Sequence, residues 1–366
     1  MKYIDEYQDE KVAVGLLKRI NKMVFSQQVK IMEVCGSHTT AIYKYGIKTL
    51  ISDKIELISG PGCPVCVTAD TFINKAISLA RKEEVIVTTF GDLLRVPANK
   101  SSLMKEISKG RNIKVVYSPL EAVDIARNNP EKEVIFLAVG FETTIPAIAL
   151  SVKKAKKLKL KNFSLLQSLK IMPPVLKRLL ISDYTEIDGF ILPGHVSTII
   201  GSNSFLFLNE DYDKPAVVAG FEPLDIIISI YYLTNMLRNE NYELLNSYGR
   251  LVKSDGNKKA LSLINKMFTS VKSYWRGMGE IEKSGLELKD DYVEFAAENK
   301  FKIKNESYKK NTNCICGEII TAKKQPKDCK LFSTICTPAN PVGPCMVSNE
   351  GSCSVHYLYN KRSEGI

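Results

Sequence analysis

The sequence lacks any apolar run long enough to span a bilayer, and it has only 3 histidines in 366 residues. Its most apolar stretch, DIIISIYYLTNML, falls short of the roughly 20 residues that a transmembrane helix needs. The N-terminus, MKYIDEYQDEKVAVGLLKRI, is charged throughout and has no apolar signal-peptide core. These absences argue against a membrane-spanning or exported protein, so we expect a cytoplasmic chain with no membrane partner.

The sequence also lacks a nucleic-acid-binding motif, although its formal net charge is +11. The lysines are spread along the chain, and their densest run, residues 152–161, has the spacing of a solvated helix face. A basic surface can equally receive acidic proteins, so we expect no nucleic-acid partner.

Cysteine, by contrast, is concentrated near the C-terminus, where 6 of the 9 cysteines fall. Thiols stay reduced in the cytosol, so such a cluster indicates a metal site or catalysis rather than disulfides. The six lack the two C-x-x-C pairs of a zinc ribbon and are interrupted by prolines, which favours an iron–sulfur cluster wrapped by loops. Structural zinc and unligated buried cysteines are the alternatives. The six are Cys314, Cys316, Cys329, Cys336, Cys345 and Cys353.

Between residue 30 and about residue 225, short apolar runs alternate with amphipathic helical stretches. Most of the runs are continuously apolar, as strands buried on both faces of a parallel sheet are. They cover residues 29–34, 54–59, 84–90, 113–118, 133–139, 162–168, 189–193 and 216–220. This alternation predicts an α/β fold with mostly parallel strands.

From about 225 to 300 the pattern reads as helical, with WRGMGEIEKSG as an interrupting loop, and regular periodicity ends after 310. A weak echo links the two α/β parts, because Gly-Phe-Glu follows a strand at both 140–142 and 220–222. Ligands bind at the carboxyl edge of such sheets, although chance repetition of a tripeptide is the plainer alternative.

Two cysteine sites lie in the N-terminal part. Cys35 ends a strand and precedes a helix start, where the helix N-terminus lowers a thiol pKa and favours nucleophilic attack or metal ligation. His38 follows one helical turn later, and a buried cysteine with an unrelated histidine is the alternative. Cys63-Pro-Val-Cys66 occupies the strand-to-helix position of dithiol redox motifs, or forms half of a metal site. His195 follows another strand end.

Six motifs in this order resemble the HypD family of hydrogenase maturation proteins, over nearly the whole chain. They are MEVCGSHT at 32–39, GPGCPVC at 60–66, GFETT at 140–144, LPGHVS at 192–197, GFEPLDI at 220–226 and the cysteine-rich segment 314–353.

The resemblance implies two similar open, mostly parallel α/β domains and a mainly helical or irregular third domain that carries a [4Fe–4S] cluster. We expect an N-terminal helix within residues 1–28, packed on the third domain. Residues 29–120 then form the α/β domain with Cys35 and the Cys63/Cys66 pair. Residues 121–225 form the second, with GFETT and PGHVS, and residues 226–366 form the third.

The resemblance also implies a function: a redox-active scaffold, rather than a conventional small-molecule enzyme, that assembles the Fe(CN)₂CO unit of [NiFe]-hydrogenase. Its partners would be a HypC-type chaperone and a HypE-type cyanide donor. Cys35 matches the residue that binds the iron, and Cys63 and Cys66 match the redox-active pair. The chaperone's own N-terminal cysteine would supply a second ligand to the iron.

The resemblance assigns the cluster to four of the six C-terminal cysteines, with Cys316 and Cys345 as spares and Cys316 as a substitute for Cys314. The four are Cys314, Cys329, Cys336 and Cys353. Further residues expected at the site are His38, Glu142, Thr143, Thr144 and His195. Of these, Glu142 and one threonine would hydrogen-bond the bound cyanide or His38. Many members of the family carry a histidine where this chain has Thr40.

Two other functions compete with the scaffold. The first is a cytosolic iron–sulfur thiol–disulfide oxidoreductase, which needs Cys63, Cys66 and the cluster but not Cys35. The second is a zinc-stabilised binding module with no redox role.

Overall fold

The computed structural model describes residues 9–98, 101–181, 186–303 and 313–363. Its strands are β1 Val29–Glu33, β2 Ile55–Ser59, β3 Val85–Thr89, β4 Ile113–Val115, β5 Glu133–Gly140, β6 Phe163–Lys170, β7 Gly189–Pro193, β8 Ala216–Ala219, β9 Leu244–Asn246, β10 Phe268–Trp275 and β11 Gly279–Leu288. Its helices are α1 Glu10–Asn21, α2 Gly36–Lys44, α3 Ile47–Leu50, α4 Pro64–Val67, α5 Asp70–Ala80, α6 Leu103–Ile107, α7 Pro119–Asn128, α8 Ile145–Lys157, α9 Met172–Leu180, α10 Gly194–Ile200, α11 Phe207–Glu210, α12 Pro223–Asn239, α13 Lys258–Met267, α14 Ala297–Lys300, α15 Cys316–Ile320 and α16 Ser352–Ser363.

The mixed α/β fold and its parallel sheets are confirmed. A five-stranded sheet has the order β2-β1-β7-β8-β9 and is parallel throughout. A six-stranded sheet has the order β10-β11-β6-β5-β3-β4, in which β3 to β6 are parallel. All eight apolar runs form strands. In a parallel sheet covered by helices on both faces most strand side chains are buried, and only β4, at the edge of its sheet, has none buried among these eight.

Strand pairing does not follow the expected boundary at residue 120. The chain makes β1 and β2 in one sheet, crosses to the other for β3 to β6, and returns for β7 to β9. Residues 29–59 therefore share a sheet with residues 189–246, whereas residues 85–115 pair with residues 133–170. Parallel neighbours are joined by long crossovers, so local periodicity cannot tell which strands are adjacent.

The prediction that residues 225–300 are helical, with a loop at WRGMGEIEKSG, is wrong for residues 268–288. After α13, residues 268–288 form an antiparallel hairpin that joins the six-stranded sheet through β6. Much of β10 faces solvent and carries lysine and serine. It therefore lacks the continuous apolar run that identifies a buried strand. Gly277 and Gly279, with φ of 84° and 75°, make the turn that the sequence analysis read as a loop.

Three layers of side chains hold the fold together. One apolar layer lies between the five-stranded sheet and helices α1, α2 and α12, with Ile31 and Ile230 fully buried in it. Another lies between the six-stranded sheet and helices α7, α8 and α13. The central layer fills the space between the two sheets and includes α5, α9 and the cysteine-rich segment. The inner faces of both sheets thus belong to the same apolar cluster as the C-terminal cysteines.

Helix α1 packs along α12, which the sequence analysis assigned mostly to the third domain. In the described ranges, none of the helices has the length and apolar character needed to cross a membrane.

Candidate functional site

Cys35 lies where the sequence analysis placed it, between the end of β1 and the start of α2. Its backbone is extended, with φ of −146°, and its N–H donates to the carboxylate Oε2 of Glu33 at 3.2 Å. The thiol is buried. A soft, buried sulfur therefore sits at the carboxyl edge of the five-stranded sheet, where α/β proteins place ligands.

The predicted lowering of the Cys35 pKa is wrong. Burial raises the pKa of Cys35 to about 12, and the carboxylate of Glu350 adds to that rise. The backbone N–H groups of Ser37 and His38 lower the pKa, but desolvation of the thiolate outweighs them. The free thiol is therefore protonated at neutral pH.

Glu33 is a site residue that the sequence analysis missed. The hydroxyl of Thr39 donates to its Oε1, and burial raises its pKa to about 8. The sequence carried one indication of this role, an acidic residue inside the apolar run VKIMEV. Carboxylates are rarely buried without a specific partner, so a glutamate in a buried strand indicates a functional or structural interaction.

His38 lies beside the Gly-Phe-Glu sequence at 220–222. Its Nε2 lies 2.8 Å from the carbonyl oxygen of Gly220 and, facing an acceptor, carries the proton, so Nδ1 is left as an acceptor. That Nδ1 is buried and has no hydrogen-bond partner among the described residues. Burial lowers the pKa of His38 to about 4, so the ring is neutral at neutral pH.

Phe221 brings the two predicted histidines together. Its ring stacks on His38 with centroids 4.6 Å apart and on His195 with centroids 3.8 Å apart. Partial shielding of His195 from water lowers the pKa of that ring. The second Gly-Phe-Glu sequence is therefore part of the site, whereas the first stacks its Phe141 on Trp275.

The pair Cys63 and Cys66 forms a disulfide at the start of α4. The Cys66 N–H donates to Cys63 Sγ at 3.2 Å. Gly62 touches the Cys35 backbone so closely that a Cβ there would lie 2.5 Å from the Cys35 Cα. The Gly36 N–H also donates to the Gly62 carbonyl at 3.2 Å. The Cys35 site and the disulfide are thus adjacent in the fold.

All six C-terminal cysteines line one cavity. The thiols lie close enough together to shift one another's pKa: Cys314 interacts with Cys316, Cys316 with Cys345, and Cys345 with Cys353. Apolar side chains, among them Phe332 and Met346, complete its wall. Within the described residues, no group of three or more His, Cys, Asp or Glu side chains is set to hold a single metal ion. The choice of four ligands stays a prediction.

The cavity also approaches the disulfide, since Cys66 Sγ lies 4.0 Å from the carbonyl oxygen of Pro344, the residue before Cys345. The same segment reaches the Cys35 site. Ser37 donates to the Glu350 carboxylate at 2.7 Å, and Thr40 donates to the Asn349 carbonyl at 3.2 Å. Sequence spacing gave no sign of this contact between residues some 310 positions apart.

Glu142 has a different partner from those expected. Its Oε1 accepts from the Met172 N–H at 2.8 Å, at the start of α9, and burial raises its pKa to about 7. It lines an apolar cavity with Pro173 and Ile264, and no hydrogen bond in the described ranges joins it to His38. Thr143 is exposed, and Thr144 Oγ1 lies 3.5 Å from Thr143 Oγ1.

A family model named HypD, described as the hydrogenase formation hypA family, matches residues 11–360. The hydrogenase maturation factor HypD of Azotobacter vinelandii is 41% identical over 374 residues, or 100% of this chain and 99% of that protein. HypD2 of Bradyrhizobium diazoefficiens is 41% identical over 370 residues, covering 99% and 97%. A putative hydrogenase expression/formation protein of Methanocaldococcus jannaschii is 41% identical over 346 residues, covering 94% and 96%. On these matches the chain belongs to the HypD family.

Proposed function

We propose that the chain is a hydrogenase maturation factor that acts as the scaffold on which the Fe(CN)₂CO unit of [NiFe]-hydrogenase is assembled. Cys35 binds the iron of this cargo. A HypC-type chaperone supplies a second thiolate, and a HypE-type protein delivers cyanide. The Cys63/Cys66 pair and a [4Fe–4S] cluster carry the electrons that assembly uses.

One observation supports this proposal most strongly: three groups of cysteines, far apart in sequence, are contiguous in the fold. Gly62 packs on the backbone of Cys35, and Cys63 follows it directly. Cys66 in turn reaches the carbonyl of Pro344 beside the six-cysteine cavity. A metal-binding thiol, a two-electron dithiol and a candidate cluster site therefore form one continuous path.

Cys35 and His38 suit the cargo site chemically. Soft thiolates suit iron that carries strong-field ligands, and a site at a sheet edge can open toward a partner protein. His38 is neutral, and its Nδ1, which has no partner among the described residues, accepts a hydrogen bond from a donor on the chaperone. In this tautomer His38 does not donate to cyanide from Nδ1.

The residues around the cavity fit an iron–sulfur cluster. Among the described residues that line it, the side chains able to bind a metal strongly are thiols, and apolar residues shield them from water. Cys314, Cys329, Cys336 and Cys353 would hold the cluster, which supplies one-electron transfer when bound. The pair Cys63/Cys66 stores two electrons as a dithiol and releases them as a disulfide.

The disulfide beside the cavity also favours the alternative, an iron–sulfur thiol–disulfide oxidoreductase. That enzyme would use the dithiol on an external substrate and would leave Cys35 without a role. The two functions differ in what they require of Cys35.

The deciding experiment is infrared spectroscopy of the protein purified anaerobically with its HypC-type partner. We expect two cyanide bands and one CO band, all of them lost in Cys35→Ala. Tyr45→Phe, at the exposed end of helix α2, is the matched control and should keep all three bands. Iron and sulfide analysis of the same samples tests the cluster, because a structural zinc site would contain neither.

Bands that persist in Cys35→Ala would overturn the role of this residue. An absence of bands from a brown protein with an intact cluster and an active partner would favour the oxidoreductase.

A further inference from the structure

Arg276 is a buried residue that none of the motifs above includes. It lies in the turn between β10 and β11 and donates to three successive carbonyl oxygens of the redox segment. Its Nε donates to Cys66 at 2.9 Å, its backbone N–H to Val67 at 2.9 Å, and its Nη2 to Thr68 at 2.6 Å. The hairpin therefore holds the C-terminal end of the short helix that carries the Cys63/Cys66 pair.

The charge of Arg276 is paired with a carboxylate on this side. Its Nη1 pairs with Asp70 Oδ1 at 2.7 Å, and both side chains are mostly buried, with 9% and 18% of their surface exposed. In such surroundings water screens a charge weakly, so each of the two charges acts strongly on groups nearby.

The backbone of the same turn contacts the cysteine-rich segment. Burial lowers the pKa of Arg276, but interactions with Cys316, Asp70 and Cys345 outweigh burial and raise it. The next residue, Gly277, is in close backbone contact with Gly317, which follows Cys316. The turn that carries Arg276 thus contacts both the redox segment and the segment that carries Cys316.

We propose that Arg276 is a positioning residue that raises the reduction potential of the Cys63–Cys66 disulfide, and that Asp70 opposes it. The oxidised pair is neutral, whereas the reduced pair carries thiolate character that a nearby cation stabilises. Any role of this potential in electron transfer to or from the cavity rests on the proposed function. The shift in potential itself is a property of the pair and its two charged neighbours.

The equilibrium that reports this effect is exchange with glutathione. Two glutathione thiols reduce the Cys63–Cys66 disulfide to two protein thiols and leave as glutathione disulfide, so electrons and protons balance. The purified full-length protein is equilibrated anaerobically in glutathione buffers of graded ratio and quenched by alkylation. Mass spectrometry of the peptide that contains both cysteines then gives the reduced fraction, whatever the state of the cavity cysteines.

The variants separate charge from structure. In Arg276→Met we expect an equilibrium constant for reduction about tenfold lower, which corresponds to about 30 mV. In Asp70→Asn, which keeps the shape and removes the opposing charge, we expect a constant about tenfold higher. Arg276→Lys should stay within about threefold of the unaltered protein, since it keeps the charge. Lys272→Met, on the exposed strand of the same hairpin, is the control and should not change it.

Shifts of opposite sign in Arg276→Met and Asp70→Asn would establish the electrostatic role. Equal constants, or shifts of the same sign, would overturn it and leave Arg276 as a structural latch. If Arg276→Met fails to fold, Asp70→Asn is compared with Asp70→Glu, which keeps the charge. Easier reduction in Asp70→Asn alone supports the electrostatic role, and equal constants in the two variants overturn it. If the infrared bands are absent but the equilibrium constants of Arg276→Met and Asp70→Asn shift in opposite directions, the scaffold function is refuted and the role of Arg276 in setting the disulfide potential stands.

Discussion

Replacing Gly62 by alanine tests the contact between the Cys35 site and the redox loop. A Cβ at residue 62 would lie 2.5 Å from both the Cα and the N of Cys35, and 2.7 Å from the carbonyl carbon of Val34. All three atoms belong to the backbone, so no side chain can rotate away. Ordinary carbon contacts need about 3.5–4.0 Å, so the loop and strand β1 must separate by about 1 Å.

Overpacking of this kind costs about 1–3 kcal/mol. The same movement weakens the hydrogen bond from the Gly36 N–H to the Gly62 carbonyl, now 3.2 Å long. We therefore expect Gly62→Ala to lower the free energy of unfolding by about 1–3 kcal/mol in urea titrations. It should also reduce the amount of iron that the protein retains when it is purified with its partner.

Gly91→Ala is the matched control, since its nearest neighbour, Val115 Cγ1, would lie 3.9 Å from the added Cβ. The reasoning fails if Gly62→Ala unfolds within about 0.5 kcal/mol of Gly91→Ala.

Two further perturbations follow from buried charges. Arg250 forms a bidentate ion pair with the buried Asp225, with bonds of 2.7 and 2.6 Å. Arg250→Met leaves that carboxylate buried without its ion-pair partner, and it should lower the free energy of unfolding in urea by about 3–5 kcal/mol. A cost below about 1 kcal/mol would show that water reaches Asp225. Burial raises the pKa of Glu142 from 4.5 to about 7, so the folded protein holds this proton more tightly than the unfolded chain does. Its contribution to stability is therefore full below pH 4.5 and is lost as pH rises to about 7. Glu142→Gln should flatten thermal stability measured across that range, with Glu33, whose pKa is raised to about 8, supplying the slope that remains. An unchanged slope in Glu142→Gln would refute the assignment.

The strands between residues 29 and 220 could be predicted from sequence because each is a short apolar run between turn residues. Their partners could not, since a parallel strand can pair with any strand that a long crossover brings alongside it. The hairpin at 268–288 was not predicted, because β10 is partly exposed to solvent and carries lysine and serine. Alternation over a few polar residues is a weaker signal than continuous burial.

Within the site, the sequence predicted which residues lie at strand ends. It did not predict which distant residues surround them in the fold. The positions of Cys35 and of the Cys63/Cys66 pair followed from the strand-to-helix pattern. The pKa of Cys35 depends on burial and on the charge of the remote Glu350, and local sequence encodes neither. Glu142 was expected to hydrogen-bond the bound cyanide or His38, but it follows a strand of the six-stranded sheet, whereas His38 follows a strand of the five-stranded sheet.

The three crossings of the chain between its two sheets bear on how the protein is made. During synthesis β1 and β2 leave the ribosome long before β7, the neighbour that completes their sheet around β1. The Cys35 site needs still later residues, because Gly220 holds His38 and Glu350 covers the start of α2. Contacts between such distant positions form slowly and late in folding. A growing chain therefore exposes Cys35 as an ordinary thiol, and the environment described here forms only after residue 350 has left the ribosome.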